Sequence, residues 1–156
     1  AKSKMNKPEY LYIKNDKLGV HKDNEKIIKV IVGKFENAEG PEKGHNVDPI
    51  YFHVVLEKDK EFKCDVPSGH NSFIYLLAGD LSVGKNKHDK TNNSNLILLD
   101  RGDKLIVKAN KKSEFLFIAG KPIGEPIARG GPFVMNTKAE ILQAIQDYHD
   151  GTFAKY

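Results

Sequence analysis

Val, Ile, Phe and Tyr recur at alternate positions in short runs along most of the chain, and turn-forming residues separate the runs. A period of two predicts antiparallel strands, because successive side chains on a strand point to opposite faces. Strands are expected over 10–13, 26–35, 50–56, 61–66, 72–77, 80–83, 96–99, 104–108 and 114–119. Connections such as Glu57-Lys58-Asp59-Lys60, Ala78-Gly79 and Asp100-Arg101-Gly102-Asp103 are short enough to join antiparallel neighbours, which predicts an all-β sandwich or barrel. The run at 114–119 (Glu-Phe-Leu-Phe-Ile-Ala) is apolar on both faces, so one face of its sheet should be covered by something beyond its own barrel. The segment 84–95 has no apolar residue to anchor it and is expected to be mobile.

The period changes near the C-terminus. Thr137 and Glu140 have the spacing of a capping box, Ile141, Ile145 and Tyr148 follow on one helical face, and Gly151 can close the end in a left-handed conformation. A helix is therefore expected over 138–151, preceded by the apolar segment Phe133, Val134 and Met135.

With 156 residues and 39% hydrophobic content, the chain can bury a core without metals or cross-links. The single cysteine, Cys64, alternates with Phe62 and Val66 and reads as a packed strand position rather than a reactive thiol. No apolar run approaches the roughly 18 to 20 residues of a membrane span, and no signal-peptide pattern opens the chain. A cytoplasmic location is expected, or a nuclear one if the source is eukaryotic. The net charge of +4 is almost all lysine, interleaved with acids, with only Arg101 and Arg129 to offer a planar fork. Direct nucleic-acid binding is not expected.

The six histidines are His21, His45, His53, His70, His88 and His149, and no two are separated by one residue as alternate ligands on a strand would be. A non-heme iron site needs about three convergent protein ligands. His45, His53 and His70 with Glu42 or Glu57 form a conceivable group, but solvated or neighbour-satisfied histidines are the commoner outcome. His88 falls in the segment 84–95, and His149 in the last helical turn suits the helix dipole. There is no phosphate loop, no nucleophile elbow and no patterned Cys/His pair, and Asp100 and Asp103 read as turn formers. Tyr75 reads as a core aromatic and His53 as a hydrogen-bonded barrel residue. No catalytic, cofactor-binding or metal-binding residue is assigned. If a small-molecule cavity exists, His53, His70 and Tyr75 are the candidates to line it.

A strand ending Tyr75-Leu76-Leu77-Ala78-Gly79 and the later Gly102-Asp103 turn resemble the writing of cupin barrels. With Gly40-Pro41, Pro67-Ser68-Gly69-His70-Asn71, Gly120-Lys121-Pro122-Ile123-Gly124, Gly131-Pro132-Phe133-Val134-Met135-Asn136-Thr137 and Ala144-Ile145-Gln146-Asp147-Tyr148, the chain resembles the C-terminal half of the pirins, a family of two tandem cupins. The resemblance implies an antiparallel jelly-roll (cupin) barrel with a C-terminal α-helix. It implies residues 1–9 as an interdomain linker remnant, 10–130 as the C-terminal cupin and 131–156 as a docking segment and helix. In that family Fe(II) is held in the N-terminal cupin by an H-x-H pair, a later histidine and a carboxylate, a motif this chain lacks. The chain is thus expected to be a second domain without its first, a metal-free structural half that packs on an N-terminal iron-binding cupin or on a second copy. Phe133, Val134 and Met135 are candidate interdomain contacts. The resemblance also admits two other roles, as part of an iron-dependent quercetin 2,3-dioxygenase or as a protein-interaction module of a redox-sensitive transcriptional co-regulator.

Overall fold

The computed structural model describes residues 3–4, 6–42, 46–84, 90–91 and 95–153. Its contacts divide the chain into two compact units, one running from Ile13 to Pro122 and the other made of the residues up to Tyr12 together with those from Ile123 onward.

In the larger unit the strands are β1 (Gly19–Lys22), β2 (Lys26–Val32), β3 (Lys34–Phe35), β4 (Ala38–Glu39), β5 (Ile50–Leu56), β6 (Glu61–Asp65), β7 (Asn71–Ala78), β8 (Leu81–Val83), β9 (Lys90–Thr91), β10 (Leu96–Leu99), β11 (Lys104–Ala109) and β12 (Ser113–Gly120). They form a six-stranded sheet in the order β1-β2-β5-β12-β7-β10 and a four-stranded sheet in the order β6-β11-β8-β9, with β3 and β4 as a separate hairpin. All these ladders are antiparallel. Among the described residues the two sheets stay separate, and no ladder closes them into one ring. Alternation decides which side chains they share. Ile28, Val30, Phe52, Val54, Ile74, Leu76, Phe115 and Phe117 point inward from the large sheet and meet Phe62, Leu81, Leu105 and Val107 from the small one in a single core.

The expected strand over 26–35 is two strands, because Gly33 turns the chain at φ 90°, in the region that side-chain-bearing residues avoid. The expected strand over 10–13 is not one. Tyr10 and Tyr12 are fully or largely exposed and join no ladder, since apolar content without a neighbouring strand does not make a sheet. Most of the 84–95 segment, with His88, lies outside the described residues, as does His45.

The smaller unit contains a hairpin of β13 (Ala128–Gly130) and β14 (Phe133–Met135) and one helix, α1 (Lys138–His149). The capping box is complete: Thr137 Oγ1 accepts from the Glu140 backbone N–H, and the Glu140 carboxylate accepts from the Thr137 N–H at 2.7 Å. The bond from the Thr137 N–H, with a second from the Asn136 N–H, holds the Glu140 carboxyl below its ordinary range. At the far end Gly151 is left-handed, the Gly151 N–H reaches Tyr148 O and the Thr152 N–H reaches Asp147 O, the paired bonds of a Schellman motif. The buried face is Ile141 and Ala144, whereas Tyr148 stays mostly exposed, its ring 5.9 Å from Phe133.

Candidate functional site

On β5, Phe52, Val54 and Leu56 are buried, so Tyr51, His53 and Val55 project from the other face of the large sheet. The register extends that face across the sheet. His53 lies opposite Lys29 on one side and Leu116 on the other, Leu116 lies opposite Tyr75, and Tyr75 lies opposite Leu96. The next row runs Tyr51, Ile118, Phe73, Leu98. Tyr75, Leu96 and Leu98 are 37%, 55% and 77% exposed. Tyr75 is therefore an outer-face residue and not a core aromatic: it alternates with Ile74 and Leu76, and those two take the interior. Polar groups cluster at one side of this apolar surface, where Lys29 lies opposite His53 and His53 Nε2 lies 2.7 Å from Glu114 Oε1.

The candidate cavity residues are not gathered at one place. His53 and Tyr75 share the outer face on strands two ladders apart, roughly 10 Å at ordinary strand spacing. His70 precedes β7 and is buried, with Nε2 3.0 Å from the Asp48 carbonyl and Nδ1 without a hydrogen-bond partner. His21, on β1, is held between carboxylates, Nε2 to Asp23 Oδ2 at 3.2 Å and Nδ1 to Glu36 Oε2 at 3.0 Å, with its edge against Phe35. That arrangement fastens the β1 edge to the β3–β4 hairpin.

An iron centre in the interior would need convergent imidazole or carboxylate donors there. Phe62 stacks on Phe35 at 5.7 Å and meets Phe115 and Phe117 at 5.7 and 6.3 Å, while Phe52 touches Phe35 and Phe117. Rings and aliphatic groups occupy the space between the sheets. Among the described residues the buried polar side chains are His70, Ser82 and Ser113, and no group of three His, Cys, Asp or Glu side chains is placed to hold a metal. Among the described residues the interior presents rings and aliphatic groups rather than a set of convergent metal donors. Ser113 is a structural residue, accepting from the Asp80 N–H at 3.0 Å and donating to Lys111 O at 2.7 Å. Cys64 packs against the core from β6, and burial together with the neighbouring Asp65 charge pushes its thiol up to about 12. It is held as the unreactive thiol.

Phe133 packs within its own unit, its ring 5.9 Å from Tyr148 and 5.0 Å from Phe153. Val134 between the two inward positions remains 46% exposed, and Met135 is half-buried. Sequence reasoning did not find Tyr51, Phe73, Leu116 and Ile118 as companions of His53. Its one signal was the two-sided apolarity of 114–119.

The family model described as the Pirin C-terminal cupin domain matches residues 51–154. A pirin-like protein of Caulobacter vibrioides is 35% identical over 155 residues, covering 98% of this chain and 55% of that protein. Human pirin is 32% identical over 154 residues, covering 96% and 52%. The crystal structure of quercetin 2,3-dioxygenase from Acinetobacter baumannii superposes with a TM-score of 0.80 at 29% identity, over 94% of this chain and 51% of that one. The chain spans about half the length of the curated relatives it matches. Among the described residues no helix is long and apolar enough to cross a membrane.

Proposed function

The chain belongs to the pirin family, whose C-terminal cupin domain it carries, and on that premise we propose that it is the metal-free half of a two-cupin protein. Its partner is an N-terminal cupin that holds Fe(II), and the pair acts as a quercetin 2,3-dioxygenase, the activity named for the Acinetobacter neighbour. The observation that carries this reading is the phenylalanine-lined interior, in which no three of the described His, Cys, Asp or Glu side chains converge. The outer face of the large sheet supports the packing role. An apolar row of Leu116, Tyr75 and Leu96 in contact with water is unfavourable by about 25 cal/mol per Å2, and burying it against a second domain would recover that. His53, at the end of that row, is hydrogen-bonded to Glu114 and would enter such an interface already partnered.

The test is metal loading. The purified chain is incubated with Fe(II) without oxygen, desalted and analysed for iron, then assayed for oxygen uptake with quercetin. Iron far below one per chain and no uptake are expected. One iron per chain with quercetin-dependent oxygen uptake would make this half the enzyme and overturn the reading.

A further inference from the structure

A cleft of about 290 Å3 opens between β10, at the edge of the large sheet, and β11 and β8 of the small one. Ile97 and Leu99 on β10 line it, alternating with the solvent-facing Leu96 and Leu98. They point into the sandwich, yet they are only half-buried, whereas Ile74 and Leu76 on the adjacent β7 are fully covered. Val83, across the gap on β8, is in the same condition. Among the described residues this apolar floor is left partly open.

The rim has a different character. Arg101, in the turn between β10 and β11, lines the cleft and is one of only two arginines in a chain whose other cations are lysines. Among the described residues it makes no ion pair, even with the adjacent Asp100, which also lines the cleft. Lys104 beside it has only a loose pairing, 4.0 Å to Asp65 Oδ1. An unpaired guanidinium offers two parallel N–H donors, the geometry that a carboxylate accepts in bidentate fashion.

We propose that this cleft binds a small amphiphilic carboxylate, an aryl- or branched alkyl-acid, with the hydrocarbon against Val83, Ile97 and Leu99 and the carboxylate on Arg101. An apolar hollow near the lower end of ligand-pocket volumes, lined also by the cations Arg101 and Lys104 beside the carboxylate of Asp100, suits such a molecule. The cleft shares Leu98 with the outer sheet face and Leu105 with the core, but its ligand does not rest on the reading of those two regions.

The probe is 4-phenylbutyrate, with 4-phenylbutyramide as its uncharged counterpart, titrated into the full chain and followed by amide and methyl NMR. Saturable shifts at Ile97, Leu99 and Val83 are expected with the acid. The amide should bind at least about tenfold more weakly, and Arg101→Gln should weaken the acid by a similar factor while leaving the amide unchanged. Arg101 is on an exposed turn, so the variant should give the parent spectrum elsewhere. Shifts that do not saturate, shifts centred away from these residues, or equal binding of acid and amide would overturn the proposal. An Arg101→Gln chain that binds the acid as tightly as the parent would do so as well.

Discussion

The two faces of β12 are nearly alike in sequence and unlike in fate. Phe115 and Phe117 have no solvent contact, while Leu116 and Ile118, between and beyond them, are only half-buried. Hydrophobicity does not separate the two sets. What separates them is the surface opposite: the inner face meets Phe62, Leu105 and Val107 of the four-stranded sheet, and the outer row continues into the exposed Tyr75 and Leu96. One face is a finished core, and the other is an apolar surface that the larger unit leaves half-built. A sheet that is apolar on both sides is characteristic of one covered on both sides.

The comparison is broken most severely from the inside. Phe62 is the hub of the aromatic cluster, and Phe62→Ala should cost about 3–5 kcal/mol in urea denaturation; a loss below about 1 kcal/mol would mean that the interior is not closely packed. Ser113→Ala should cost about 1–3 kcal/mol, because it strands the half-buried Asp80 N–H beside a buried position, and Ser113→Cys should not restore it. Thr137→Ala lies outside the sandwich and should cost about 1 kcal/mol, seen as faster amide exchange over 138–142 with unchanged protection on β5 and β12. Equal loosening of both regions would contradict the division into separate units. The mildest change is chemical. With its pKa raised from 9.0 to about 12, the Cys64 thiol should alkylate slowly at pH 8 in the folded chain and rapidly in urea. The sign for stability follows: the folded form keeps the proton that the unfolded chain releases above pH 9.0, so this contribution is complete below that pH and is lost as pH rises toward 12.

Much of this fold is legible in the sequence because its signals are local. The run 50–56 coincides with β5, and 72–77 and 114–119 each fall one residue short of their strands at either end, since alternation marks them without reference to neighbours. Thr137 and Glu140 mark the helix start for the same reason. β1, β13 and β14 are not legible: Gly19–Lys22 contains one branched aliphatic residue, and the three-residue strands exist only because a partner strand lies beside them. Tyr10 to Ile13 fails in the opposite sense, apolar but without such a partner. Candidate residues suffered most from non-local register. Nothing in the sequence says that His53 and Tyr75 flank the same Leu116 on an outer face, or that His70 is spent on the Asp48 carbonyl, because those facts depend on pairing across 22 or more residues. The pirin resemblance was legible through its terminal motif, and the family match over 51–154 bears it out.

Adjacent residues on one strand provide the most direct test. Leu116→Asp and Phe117→Asp place the same charge one residue apart, on opposite faces of β12, and their urea midpoints can be measured side by side. The account expects Phe117→Asp to lose more than about 4 kcal/mol and fail to fold, because a carboxylate enters a dry aromatic cluster. Leu116→Asp should fold with a loss of about 1 kcal/mol, since its face retains water. Equal, severe destabilisation by both would show that the outer face is already core, and would contradict the contrast between the two faces of β12.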